Sequence, residues 1–178
     1  MNLSSYQFRD MYESMGVNWD DPGCVMLKTQ AIYMDAPGLE DDLYYSDTQK
    51  YAQGQVGAVS PHVTLLYGLL PPTKRGHVDI VLEGWNLPEI EVKDILVFEP
   101  PGQEYSVVVA DVSHPKLLEA HQRLSFLPHI NTHPEYKPHV TLAYVKRGHE
   151  SLAVKLSKRL IGASLPTMGL DYGDLESL

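Results

Sequence analysis

Pro61-His62-Val63-Thr64-Leu65-Leu66-Tyr67 returns later in the chain as Pro138-His139-Val140-Thr141-Leu142-Ala143-Tyr144. Six of the seven residues agree, and the copies lie 77 positions apart. So rich a phrase seldom repeats by chance within one small protein. A repeat at this distance points to two related lobes. Each copy brings one imidazole and one hydroxyl.

Val, Thr, Leu and Tyr favour strands, and a leading proline opens an extended segment. Side chains on a strand alternate between faces. His62 and Thr64 therefore share one face, over Val63 and Leu65 on the other. His139 and Thr141 repeat the arrangement over Val140 and Leu142. The apolar face is expected to pack against helices, and the polar face to look into a groove. One H-x-T on a strand is an ordinary strand end. Two copies with matching flanks are not, because folding uses the Val and Leu positions but has no need of histidine twice on the opposite face. If pseudo-twofold lobes set the two strands side by side, His62, Thr64, His139 and Thr141 converge on one point.

The rest of the chain bounds the setting of that site. A chain of 178 residues forms one ordinary domain or two small fused lobes and buries a core without staples. The single cysteine, Cys24, excludes an intramolecular disulfide framework and suits a reducing compartment. No stretch is long and apolar enough to span a bilayer, and residues 1–10 are polar, without the apolar core of a secretory leader. These features predict a soluble cytoplasmic protein. The net charge of −9 argues against long nucleic acids, which are held through phosphate neutralisation by Lys and Arg. A small anionic ligand needs only a local cluster. Lys74-Arg75, Lys137 and Lys146-Arg147 lie near the ends of the repeated strands, where they form either such a cluster or a solvated rim.

The pattern predicts a helix over 4–16, with Phe8, Met11, Tyr12 and Met15 at helical period. A strand over 25–34 follows, then an acidic, tyrosine-rich loop over 35–51. After the first phrase, Pro71-Pro72 breaks the strand, and a helix is expected over 74–84. Strands over 91–99 and 105–112 flank the Pro100-Pro101-Gly102 turn as a hairpin. Pro115 opens a helix whose inner stripe is Leu117, Leu118, His121 and Leu124. A loop over 129–138, the second phrase, a helix over 150–161 and a closing strand over 167–172 complete the chain. The expectation is an α+β fold: two small antiparallel sheets line a central cleft with helices outside, in one domain over 1–178. Its first lobe is expected over about 20–88 and its second over about 89–178.

Two groups that titrate near neutrality and face one phosphate can act as an acid and base pair. One imidazole takes the proton from a nucleophilic hydroxyl or water, and the other gives a proton to the leaving alkoxide. The threonines donate hydrogen bonds to the non-bridging oxygens, where charge concentrates. The scheme requires neither metal nor cofactor. Which histidine is the acid stays open at this stage, as does the nucleophile.

Paired H-x-T strands on a bilobed α+β scaffold resemble the 2H phosphoesterase superfamily. The resemblance spans both motifs and the order of elements between them. It implies that His62, Thr64, His139 and Thr141 carry the catalytic and phosphate-holding roles. That superfamily includes 2′-5′ RNA ligase-like proteins, 2′,3′-cyclic phosphodiesterases, RNA-trimming enzymes and 2′-5′ oligoadenylate phosphodiesterases. It also includes phage enzymes that destroy the cyclic oligonucleotide signals of bacterial CBASS immunity. The phrase His-Val-Thr-Leu-Leu-Tyr-Gly, the small size and the acidic balance are most similar to this last group, which would place the protein in a bacterial host cytoplasm. The substrate implied is a small cyclic nucleotide or short oligonucleotide. Enzymes of RNA ends, and a module that sequesters a nucleotide without cleaving it, are the alternatives. Intact H-x-T in both copies argues against the module.

Nucleobases need stacking surfaces. Tyr172 on the closing strand and Tyr33 at the end of the first are the leading candidates, ahead of Tyr6, Tyr12, Tyr105 and Trp85, with Lys137 as a further substrate contact. His121 is expected to be a packing residue, and His77, His114 and His149 to be solvated at helix starts. His129 and His133 have metal-ligand spacing for a helix, but Pro128 and Pro134 mark a loop there. A cation held by Glu40-Asp41-Asp42 is the lesser reading of a solvated acidic loop.

Overall fold

The chain alternates short runs of Val, Leu and Ile with turn residues, and these runs become the strands of one curled antiparallel sheet. The structure is a computed structural model that describes residues 22–32, 34–35, 38–39, 42, 55–56, 61–131, 133 and 135–177. The helix expected over 4–16, most of the loop over 35–51 and Tyr33 lie outside these residues.

The strands are β1 (Gly23–Thr29), β2 (Met34–Asp35), β3 (Gln55–Val56), β4 (His62–Leu69), β5 (Glu89–Glu91), β6 (Asp94–Phe98), β7 (Tyr105–Asp111), β8 (His139–Lys146) and β9 (Ser164–Asp171). The helices are α1 (Arg75–Val81), α2 (Pro115–Leu124) and α3 (Ser151–Ser157), the last continued by a 3-10 turn over Lys158–Leu160. Among the described residues, seven strands join in the order β5-β9-β1-β4-β8-β7-β6, while β2 and β3 pair separately.

This is the expected α+β fold, a curled antiparallel sheet with three helices, and the two small sheets expected to line the cleft join edge to edge. The halves β5-β9-β1-β4 and β8-β7-β6 are one sheet, joined where Val63 of β4 stands opposite Val140 of β8. Strands β5 and β9, which follow residue 88 in the chain, return to the first half beside β1. The physical reason is edge coverage. An unpaired β1 would expose a row of backbone donors and acceptors, and β9 covers it over Met26–Thr29.

The strand expected over 91–99 is two strands, β5 and β6, broken at Val92-Lys93. Val92 N–H donates to the Ala163 carbonyl and Lys93 N–H to the Asp111 carbonyl. The hairpin β6–β7 forms as expected across the turn at 100–102. Each half buries its apolar face. Val63, Leu65, Val140 and Leu142 are fully buried. Helix α2 packs on β4 and α1, and α3 packs on β6, β7 and β8. Leu117, Ala120 and Leu124 form the inner stripe of α2, whereas Leu118 is 47% exposed and faces out. The stripe at spacings of three and four is therefore narrower than the sequence pattern implied.

Candidate active site

The register at the centre of the sheet builds the site. Val63 and Val140 share the buried face, so their neighbours point to the other. One residue to each side, His62 comes opposite Thr141, and Thr64 opposite His139. A pseudo-twofold through the Val63–Val140 pair exchanges the two H-x-T phrases. The imidazoles lie across a diagonal, where neighbours stand roughly 7–8 Å apart and their Cβ atoms somewhat closer. His62 is exposed at the first residue of β4, and His139, Thr64 and Thr141 are half-buried.

His139 is held from several sides. Its Nδ1–H donates to the Lys137 carbonyl at 2.7 Å, which leaves Nε2 as the acceptor. The Phe98 ring meets it edge-on, with centroids 5.0 Å apart at 85°. Asp111 stands opposite on β7, with Oδ1 already accepting from the Ser113 backbone and hydroxyl. Burial lowers the His139 pKa, and His62 and His133 push it the same way, while the Lys137 carbonyl and Asp111 oppose them. His139 is therefore neutral at neutral pH and carries a free lone pair.

Beyond the Val63–Val140 pair the strands diverge, and a cleft of about 760 Å³ opens there. His139, Thr141 and Thr64 line it, and His62 lies outside that lining. On the β4 side the wall includes Tyr67, His121, His129 and Asn131, and on the β8 side Tyr144, Phe98, Pro100 and Val107. Residues 128–131 run along the end of β4 there. Leu70 N–H donates to the Pro128 carbonyl at 2.9 Å, and Ile130 N–H to the Gly68 carbonyl at 2.8 Å. Gly68 is an extra residue in β4 relative to β1, at φ +96°, and a Cβ there would lie 2.5 Å from the Ile130 carbonyl oxygen. Only glycine admits so close a backbone approach.

Two rings secure β4 beside Thr64. Tyr136 donates its hydroxyl to the Thr64 carbonyl at 3.1 Å, and His121 Nδ1–H donates to the Leu65 carbonyl at 2.8 Å. The rings stack at 4.0 Å and 5°. Burial raises the Tyr136 pKa, so its hydroxyl stays a donor. His121 thus packs, as expected, but it packs as part of the cleft wall.

The other expected contacts divide. Lys137 lines the cleft, with its ammonium 3.1 Å from Glu135. Tyr172 does not line it. Its hydroxyl donates to Asp79 of α1, and the Arg75 guanidinium sits 5.6 Å over its ring. Strand β9 is separated from β4 by β1, so its end meets α1 instead. Tyr33 lies outside the described residues. His129 lines the cleft from a loop, with its Nδ1–H bound to the Leu127 carbonyl, and among the described residues no group of three or more metal-ligating side chains gathers. Asp42 accepts from His149 at 2.9 Å. Sequence reasoning missed Lys28, Phe98, Tyr67 and Tyr144. Lys28 stands opposite His62 on β1, 3.9 Å from Asp171, and adds a cation beside the site.

A family model described as the 2'-5' RNA ligase superfamily matches residues 41–164, more than half of the chain and both H-x-T phrases. The chain belongs to the 2'-5' RNA ligase superfamily. That membership meets the expectation of a 2H phosphoesterase at the level of the family, without singling out the phage group. Membership suggests a phosphodiesterase. No curated protein matches the sequence. Among solved structures, Usb1 from Kluyveromyces marxianus with uridine monophosphate shares 12% identity and a TM-score of 0.49 over 84% of this chain and 94% of that one. A second structure of that Usb1 shares 10% identity and a TM-score of 0.43 over 84% and 94%. No helix among the described residues is long and apolar enough to cross a membrane.

Proposed function

We propose that this member of the superfamily is a metal-independent phosphodiesterase that cleaves 3′-5′ bonds of small cyclic oligonucleotides, of the kind used as signals in bacterial anti-phage defence. The observation that carries the reading is the crossed His62/Thr141 and Thr64/His139 arrangement about Val63–Val140, with His139 Nδ1–H bound to the Lys137 carbonyl and Nε2 left as the acceptor.

In this reading His139 is the base. Its Nε2 takes the proton of the nucleophile, and the Lys137 carbonyl stabilises the imidazolium that forms. His62, exposed on the other side of the phosphate, gives its proton to the leaving alkoxide. Thr64 and Thr141 donate to the non-bridging oxygens from opposite strands. With a ribonucleotide, the neighbouring 2′-hydroxyl attacks the phosphorus, the bond to the 5′-oxygen breaks and a 2′,3′-cyclic phosphate results. The net charge of −9 favours a small substrate over a long polymer. Membership of the 2'-5' RNA ligase superfamily favours a second reading, action on 2′-5′ linkages or RNA ends.

The test is a mass-spectrometric panel of cyclic dinucleotides, cyclic trinucleotides, 2′-5′ linked dimers and short RNAs, run with EDTA and with the His62/His139 double alanine variant as blank. Cleavage of a cyclic 3′-5′ substrate in EDTA supports the reading. Cleavage confined to 2′-5′ or terminal linkages replaces it with the second. Recovery of every compound intact, or activity that only added metal restores, refutes both.

A further inference from the structure

The repeated phrase is longer than its H-x-T. Each copy ends on a tyrosine five residues past its histidine, Tyr67 in the first and Tyr144 in the second. On a regular strand an odd offset places that tyrosine on the face away from the histidine. Both strands break their alternation just after the threonine. In β4 the residue Leu65 is extra relative to β1, whose Cys24, Met26 and Lys28 stand opposite Tyr67, Thr64 and His62. In β8 the residue Leu142 is extra relative to β7, whose Val107, Val109 and Asp111 stand opposite Tyr144, Thr141 and His139. A one-residue bulge turns the side chains beyond it to the other face and re-aims them. Both tyrosines consequently share the face of the histidines and line the cleft.

Core packing does not account for this. The bulges take two large aromatic residues out of the apolar face, and Tyr67 remains 45% exposed. The strands run antiparallel about Val63–Val140, so the tyrosines lie on opposite sides of that pair. Each is four residues along its strand, roughly 10–13 Å away at about 3.3 Å per residue with a bulge. A phosphate held by the two H-x-T phrases would lie between them. Tyr144 is steadied edge-on by Tyr105, with centroids 5.4 Å apart at 75°.

We infer that Tyr67 and Tyr144 are a matched pair of stacking platforms, one for the nucleobase on each side of the reacting phosphate, so that the substrate is a diester carrying a nucleoside on both sides. This deepens the phosphodiesterase reading and rests on it for the position of the phosphate. Base–aromatic stacking tolerates any base, because every base has a π-face. The two arms differ around their tyrosines. His129 and Asn131 accompany Tyr67, and Phe98 and Pro100 accompany Tyr144, so the two bases meet different neighbours.

The experiment measures binding apart from turnover. Calorimetry of the 2′-deoxy dinucleoside monophosphate d(ApA) and of deoxyadenosine monophosphate is run on the wild type and on Tyr67→Ala, Tyr144→Ala, Tyr67→Phe and Tyr144→Phe. The wild type is expected to bind d(ApA) at least about 10-fold more tightly than the mononucleotide. Each alanine variant is expected to weaken d(ApA) by roughly 5- to 100-fold, from the cost of one lost stack. The phenylalanine variants keep the affinity, which separates a lost ring from a disturbed fold. The mononucleotide, with one base, is weakened by at most one of the two alanine changes. Equal affinities for the two ligands in the wild type, or a d(ApA) affinity untouched by either alanine change, overturns the inference. Turnover of ribo-ApA is followed in parallel. Tyrosine-dependent binding without turnover of any diester refutes the phosphodiesterase reading and leaves the platforms standing.

Discussion

Val63 and Val140 face each other, fully buried, as the registered pair that joins β4 to β8. Everything chemical in the cleft is placed relative to that contact, because it is where the two halves of the sheet meet and where the pseudo-twofold passes. Val63→Ala or Val140→Ala removes buried methyl groups at the join and is expected to cost about 1.5–3 kcal/mol. Urea unfolding followed by circular dichroism measures this. An unchanged midpoint in both variants would mean that other contacts hold the halves together.

His62→Ala and His139→Ala are each expected to lower turnover by about 10³- to 10⁴-fold, as loss of a general acid or base does. His62 is exposed and His139 half-buried, so neither change opens a large cavity. Stopped assays on the purified variants, with thermal melts as the folding control, decide this. A folded variant that keeps most of its activity removes that histidine from the mechanism.

The lowered pKa of His139 gives the pH dependence a sign. A base must be unprotonated, so kcat/KM is expected to hold as pH falls past about 6.5, the ordinary histidine value, and to decline only below it. Stability follows the same group. The unfolded chain takes up the proton first, so the His139 contribution is complete above about 6.5 and is lost as pH falls through the folded value. His139→Gln should flatten that part of the stability curve. NMR titration of the His139 ring showing a pKa at or above 6.5 would contradict both statements.

Thr64→Val and Thr141→Val keep shape and remove one donor each. The expected loss in kcat is about 100-fold, the low end of what one donor to a developing charge contributes. KM should change little. Unfolding of either variant, seen as a lost melting transition, would assign that threonine to the structure instead.

Gly68→Ala tests the wall of the cleft. The position has φ +96°, and the added Cβ would meet the Ile130 carbonyl oxygen. The expected cost is about 1–3 kcal/mol, together with release of the segment 128–131 from β4. Hydrogen exchange at Ile130 N–H, now bound to the Gly68 carbonyl, should accelerate. An amide as protected as in the wild type would show that the segment is held elsewhere.

Much of the fold was legible because hydrophobic alternation and turn residues are local signals. The β6–β7 hairpin, the helix opened by Pro115 and the apolar positions of both H-x-T strands can all be read from spacing alone. Strand order is not local. Nothing near β9 announces that it crosses back to cover β1. The surroundings of Tyr172 are likewise beyond a local signal, since its partners Asp79 and Arg75 lie more than 90 positions away in sequence.

The amino-acid sequence by itself determined that two imidazoles and two hydroxyls share polar strand faces, because strand alternation follows from backbone geometry and the phrase occurs twice. Tertiary structure alone decided that these faces are neighbours, that His139 is the desolvated member, and that Tyr67 and Tyr144 turn into the cleft. The reason is that burial and register are properties of pairing. A bulge at Leu65 or Leu142 exists only relative to the strand beside it, and no residue in the phrase marks its place.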